Sequence, residues 1–126
     1  MIQYQRKLVL VGRAMQSHGS TDVPLPPTPD TFRFMDAREC DSALKAAGFA
    51  SLTIADICLV WRGDKPDDVL DFINKITVRT SMVLQAQTDT ARQNIHRAVV
   101  RDAERYSKAK GIELAWPAAL VTAIKP

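Results

Sequence analysis

The chain has 126 residues, with 17 Lys and Arg against 14 Asp and Glu, a net charge of +3, and 46% hydrophobic and 25% charged residues. That length predicts one domain burying roughly 65–70% of its unfolded surface, and the composition is ordinary for a soluble globular protein. No apolar run approaches the ~20 residues that span a bilayer, and the mild, dispersed charge argues only weakly for an anionic partner.

The N-terminal segment MIQYQRKLVLVGRAM places a short apolar stretch behind Arg6 and Lys7. It is too short for a secretory leader and lacks a small-residue cleavage site, so a cytoplasmic location is expected. Leu8, Val11, Ala14 and Met15 fall at helical spacing, and the spacing predicts a helix from Lys7 to His18 ended by Gly19. The run Leu8–Val11 also admits a strand, but the glycine stop favours the helix. Four prolines between Pro24 and Pro29 remove backbone donors and fix φ, which predicts an extended loop.

Asp36 followed by Glu39 makes a capping-box variant that opens a helix with Cys40, Leu44 and Ala47 on its buried side. Gly48 stops it and Phe49 packs back. Leu52 to Trp61 reads as a strand, with a slip in alternation near Asp56 that fits a β-bulge. Pro66 stands where a first helical residue belongs, with Asp64, Asp67 and Asp68 suited to a helix N-terminus. Val69, Phe72, Ile73 and Ile76 form that helix's apolar face, and a second piece from Val78 to Ala86 presents Met82 and Val83. Thr88 caps a long helix to Lys110, with Ile95, Ala98, Val99, Ala103 and Tyr106 inward and Gly111 as its stop. Glu113 to Ile124 is the last strand, and Pro117 within it implies a kink, an edge or a bulge.

Few residues carry chemistry. His18 ends a helix, where a protonated imidazole suits the dipole; it reads as a capping or packing residue, or as a general base or substrate contact. His96 stands among arginines and reads as a surface residue. Cys40 and Cys58 have no CxxC spacing and read as reduced structural thiols; with two distant histidines no metal site is expected. Trp61 at a strand end walls a pocket or packs in the core. Arg79 in an apolar helical region either binds an acidic substrate group or pairs with Asp71 or Asp89. Ser81 and Ser107 lack an arranged histidine and acid, which gives hydrolysis little support. The series Arg92, Arg97, Arg101, Arg105 and Lys108 is interrupted by Asp102 and Glu104 and reads as a solvated face, so a nucleic-acid role is not expected.

The succession FRFMDARECDSALKAAGFASLTIADICLVWRGDKPDDVL, then a charged helix, then LAWPAALVTAIKP resembles the C-terminal half of class I S-adenosylmethionine-dependent methyltransferases of the small-molecule type. The segment AMQSHGSTDVPLPPTPDTFRF looks like the linker after the fifth strand of those enzymes. The resemblance implies an α+β fold like the C-terminal part of a Rossmann-like methyltransferase. A small antiparallel sheet led by Leu52–Trp61 and Glu113–Ile124 would be covered by several helices.

The expected organisation is a single domain: 7–31 helix and Pro-rich loop, 32–62 helix and strand, 63–111 a helical lid-like insertion, and 112–126 the final strand. Substrate-binding roles are expected for His18, Phe32, Phe34, Trp61 and Arg79. No cofactor-binding residue is expected, because the 5 glycines lie too far apart for the GxG turn of an adenosylmethionine or dinucleotide site. The segment is therefore expected to be inactive alone. It would either work with a separate half that holds S-adenosylmethionine or be a truncated product without activity, and an exposed edge at the last strand would favour a homo-oligomer. The alternative is a standalone dimeric α+β module binding a small apolar ligand or a protein through Phe32, Phe34, Trp61, Phe72 and Met82.

Overall fold

The computed structural model describes residues 8–126, with side chains from Leu10 onward. Among them are five α-helices and a three-stranded antiparallel sheet, the α+β class expected. In chain order these are α1 (Leu8–His18), α2 (Ala37–Ala46), β1 (Ala50–Gly63), α3 (Asp68–Ile76), α4 (Val78–Gln85), α5 (Asp89–Ala103), β2 (Ser107–Lys108) and β3 (Gly111–Ile124). The sheet order is β1-β3-β2. Lys7, the expected first residue of α1, lies outside the described residues. The chain divides into two compact units, residues up to Pro24 with Val60–Trp116, and Leu25–Leu59 with Pro117–Pro126.

The first unit holds the core. Val11 and Ala14 of α1 pack with Ile95, Ala98, Val99 and Ala103 of α5, Val69 and Ile73 of α3, Leu84 of α4, and Ile112 and Leu114 of β3. Burying side chains of this size stabilises by roughly 1.5–3 kcal/mol each before entropy is charged against it. Trp61 stacks on Phe72 with centroids 5.0 Å apart, and Phe72 and Trp116 form a T-shaped pair with centroids 5.5 Å apart. The chain leaving α1 is tied down by buried Gln87. Its amide accepts from Ser20 N at 2.7 Å and donates to the carbonyls of Ser20 at 2.7 Å and Val83 at 2.8 Å.

In the second unit α2 has well-defined ends. The Asp36 carboxylate accepts from the amides of Arg38 and Glu39, which is the expected N-cap. Gly48, at φ +87°, and Phe49 donate to the carbonyls of Lys45 and Leu44, the paired bonds of a Schellman stop. Cys40 is the only buried apolar residue of this unit among those described. Phe34, Ile54, Leu59, Leu120 and Ile124 are exposed.

Several expectations need correction. α5 ends at Ala103 rather than Lys110, because Glu104–Tyr106 tighten into a 3₁₀ turn and Ser107–Lys108 pair back onto Ile112 and Gly111. Gly111, at φ +124°, therefore closes a hairpin and does not cap a helix. Pro66 lies in a turn ahead of α3, and the Asp68 carboxylate closes that turn by accepting from the amides of Asp64 and Lys65. α4 buries Leu84 instead of Met82, which is exposed, as are Ile76 and Ala47. β1 exceeds the expected Leu52–Trp61 at both ends. Its start is marked by Ser51 at φ 55°.

A Cβ on Gly111 would overlap the Gly63 carbonyl oxygen, whereas one on Gly12 would meet no atom within 4 Å. Gly111→Ala is expected to lower unfolding stability by about 2 kcal/mol or more. Gly12→Ala, mid-helix in α1, should raise it by about 0.5–1 kcal/mol. Urea unfolding of both variants checks the pair of signs.

Candidate functional site

The first unit carries a cleft of about 480 Å³ between α3, α4 and α5. The amphipathic pattern of each helix builds it. Leu70 and Leu84 form an apolar floor, while Asn74, Ser81 and Gln85 supply uncharged polar groups, with Gln85 Nε2 donating to Ser81 Oγ at 3.3 Å. Lys75 of α3 with Arg92 and His96 of α5 line the rest.

Each basic side chain has an acidic neighbour that is not part of the lining. Lys75 Nζ donates to Asp71 Oδ2 at 2.7 Å, one helical turn earlier. Arg92 Nη2 pairs with Asp89, also one turn earlier. His96 Nε2 lies 2.9 Å from Asp67 Oδ1 at the start of α3 and donates to it, since a carboxylate only accepts. Among the described residues no carboxylate faces the cleft. The hydrogen bond from His96 is the main cause that holds the Asp67 carboxyl below its ordinary value, with the nearby charges of His96 and Lys65 adding to it. The Asp71 hydrogen bond and charge likewise hold Lys75 above its ordinary value. All three pairs are solvent-exposed, so each contributes little to stability.

A second cavity of about 290 Å³ is lined by Leu10, Arg13, Asp102, Arg105 and Tyr106, with Arg105 and Asp102 3.9 Å apart. Among the described residues no group of three or more His, Cys, Asp or Glu could hold a metal ion. No described helix is long and apolar enough to cross a membrane.

The residues singled out from sequence lie elsewhere. His18 is exposed at the last position of α1, and Arg79 is exposed on α4. Asp71 and Asp89, weighed as partners of Arg79, pair with Lys75 and Arg92. Trp61 is half-buried against Phe72. Phe32 and Phe34 belong to the second unit, where the Phe34 ring lies 5.3 Å from the Arg33 guanidinium carbon. None of these five lines either cavity. The exposed arginines Arg97 and Arg101 form the solvated face expected of them. Reading single residues missed the cleft because its cations come from different helices. The Asp71/Lys75 spacing of four was the visible signal. Trp116, the third aromatic, was missed as well.

Comparison with protein-family models, curated proteins and solved structures finds no match.

The Asp67–His96 contact makes a titration prediction. Asp67 has a depressed folded value, so its stabilising contribution is present above the ordinary carboxylate range near 3.8 and is lost as pH falls through the lowered value. Carboxyl-carbon NMR should show Asp67 titrating below 3.8 in the native chain. In His96→Ala the midpoint should move upward; an unchanged midpoint would mean that the contact does not form in solution.

Proposed function

We propose that these residues form the substrate-pocket and lid part of a methyltransferase-like enzyme, completed by a cofactor-holding half outside the 126 residues. The observation that carries this reading is the unfinished second unit. It buries only Cys40 among its described apolar residues and leaves Phe34, Ile54, Leu59, Leu120 and Ile124 in water. A two-stranded pairing with so little core is marginal by itself and calls for cover. In this reading β1 and β3 are counterparts of that family's sixth and seventh strands, with the three helices between them as an insertion. On its other side, β3 pairs with β2 at Gly111 and Ile112. The part played by this half would be positioning, because the reaction needs the donor methyl in line with the acceptor more than it needs acid–base help.

A second reading draws on the same apolar exposure: a standalone dimeric module in which a second copy supplies the cover.

Two measurements separate the readings. Calorimetric titration of S-adenosylmethionine into the chain alone should show no binding at millimolar ligand. Ultraviolet crosslinking of labelled S-adenosylmethionine in material purified from the native cell through this chain should mark a co-purifying polypeptide. Micromolar binding by the chain alone would refute the missing-half reading. The dimer reading expects twice the chain mass in solution well above micromolar concentration, and a monomer there would overturn it.

A further inference from the structure

We infer that the cleft between α3, α4 and α5 is a binding site for a small organic anion, a carboxylate carried on a short apolar body. The inference rests on the cleft alone and does not depend on a methyltransferase origin.

Three features select this ligand class. The floor is apolar: Leu84 is buried and Leu70 packs against the core, so a hydrocarbon body entering the cleft leaves water for apolar side chains. The charge facing the cleft has one sign. Lys75, Arg92 and His96 line it while Asp67, Asp71 and Asp89 do not. The uncharged groups Asn74, Ser81 and Gln85 add donors that a carboxylate accepts without a change of protonation.

The acidic neighbours do not cancel this field. Exposed pairs such as these are weak, and a guanidinium carries five N–H donors, more than one carboxylate uses. An anion placed between Lys75 and Arg92 adds hydrogen bonds to both. A cationic ligand would meet Lys75 and Arg92 directly and be repelled. A neutral ligand of the same shape would keep only the floor contact. A volume of about 480 Å³ lies within the range of small-molecule sites. The polar rim on both α3 and α5 sets an orientation, with the charged end toward Lys75 and Arg92 and the apolar end over Leu70 and Leu84.

The test uses the full chain and three probes of equal length: octanoate, 1-octanol and octylamine. Octanoate should bind saturably with a sub-millimolar Kd. Its amide shift changes in heteronuclear NMR should centre on Asn74, Ser81, Gln85 and His96. Octanol and octylamine should bind about tenfold more weakly or worse. The double variant Lys75→Gln with Arg92→Gln changes two exposed side chains and should stay folded by circular dichroism. It should weaken octanoate by about tenfold while leaving octanol unchanged. Absence of saturable octanoate binding, equal affinity for octanoate and octanol, or shift changes centred on another part of the chain would each overturn the inference. The outcome is independent of S-adenosylmethionine binding, so failure here leaves the proposed function standing, and the reverse.

Discussion

The fold turns on one close approach of backbone to backbone. Gly111, in a conformation that disfavours any side chain, comes so near the Gly63 carbonyl that a Cβ has no room. At that point the end of β1 and the start of β3 meet, and the helices α3, α4 and α5 become a closed excursion between them. The entropy of closing such an excursion grows only slowly with its length. It is offset by the core that the excursion brings with it, since Val69, Ile73, Leu84, Ile95, Ala98, Val99 and Ala103 all lie between the two glycines. The same contact sets strand register. A slip of one residue would turn Ile112 and Leu114, both 2% exposed, away from that core.

Two kinds of surface follow from this arrangement. On the helical excursion the polar side chains pair with one another across short distances, and their cations share a concave face. On the second unit the situation is inverted: apolar side chains stand in water with few buried neighbours. The first surface discriminates by charge and the second by area, and the partners that suit them differ accordingly. Gln87 contributes to the first indirectly. By satisfying Ser20 on both backbone groups, it fixes the exit of α1 against the end of α4, so the wall that carries Ser81 and Gln85 has a firm base.

Local signals in the sequence were legible wherever the cause was local. Asp36, Gly48, Thr88 and Gly19 mark helix ends through bonds made within a turn of themselves, and the elements they bound were readable from them. The failures share a different cause. The end of α5 depends on Ser107 and Lys108 finding Ile112 and Gly111, a pairing that helical periodicity does not announce. Met82 and Leu84 are equally apolar, and only the placement of α4 against α3 and α5 decides which is buried. The cleft was illegible for the same reason: Lys75 and Arg92 become neighbours through tertiary packing. Asp67 and His96, far apart in the chain, touch only once α3 lies beside α5. The α+β class itself was readable, because it needs only the succession of elements.

The two cysteines give the molecule an internal clock. Cys58 is exposed on β1, so a thiol reagent meets it at a rate set by the reagent. Cys40 is buried on α2, and the reagent reaches it only during moments of local opening. The ratio of the two modification rates therefore records how often the second unit opens. Any molecule that settles over its uncovered side chains would slow the Cys40 reaction by a factor set by the free energy of cover it provides, where reclosing outpaces modification.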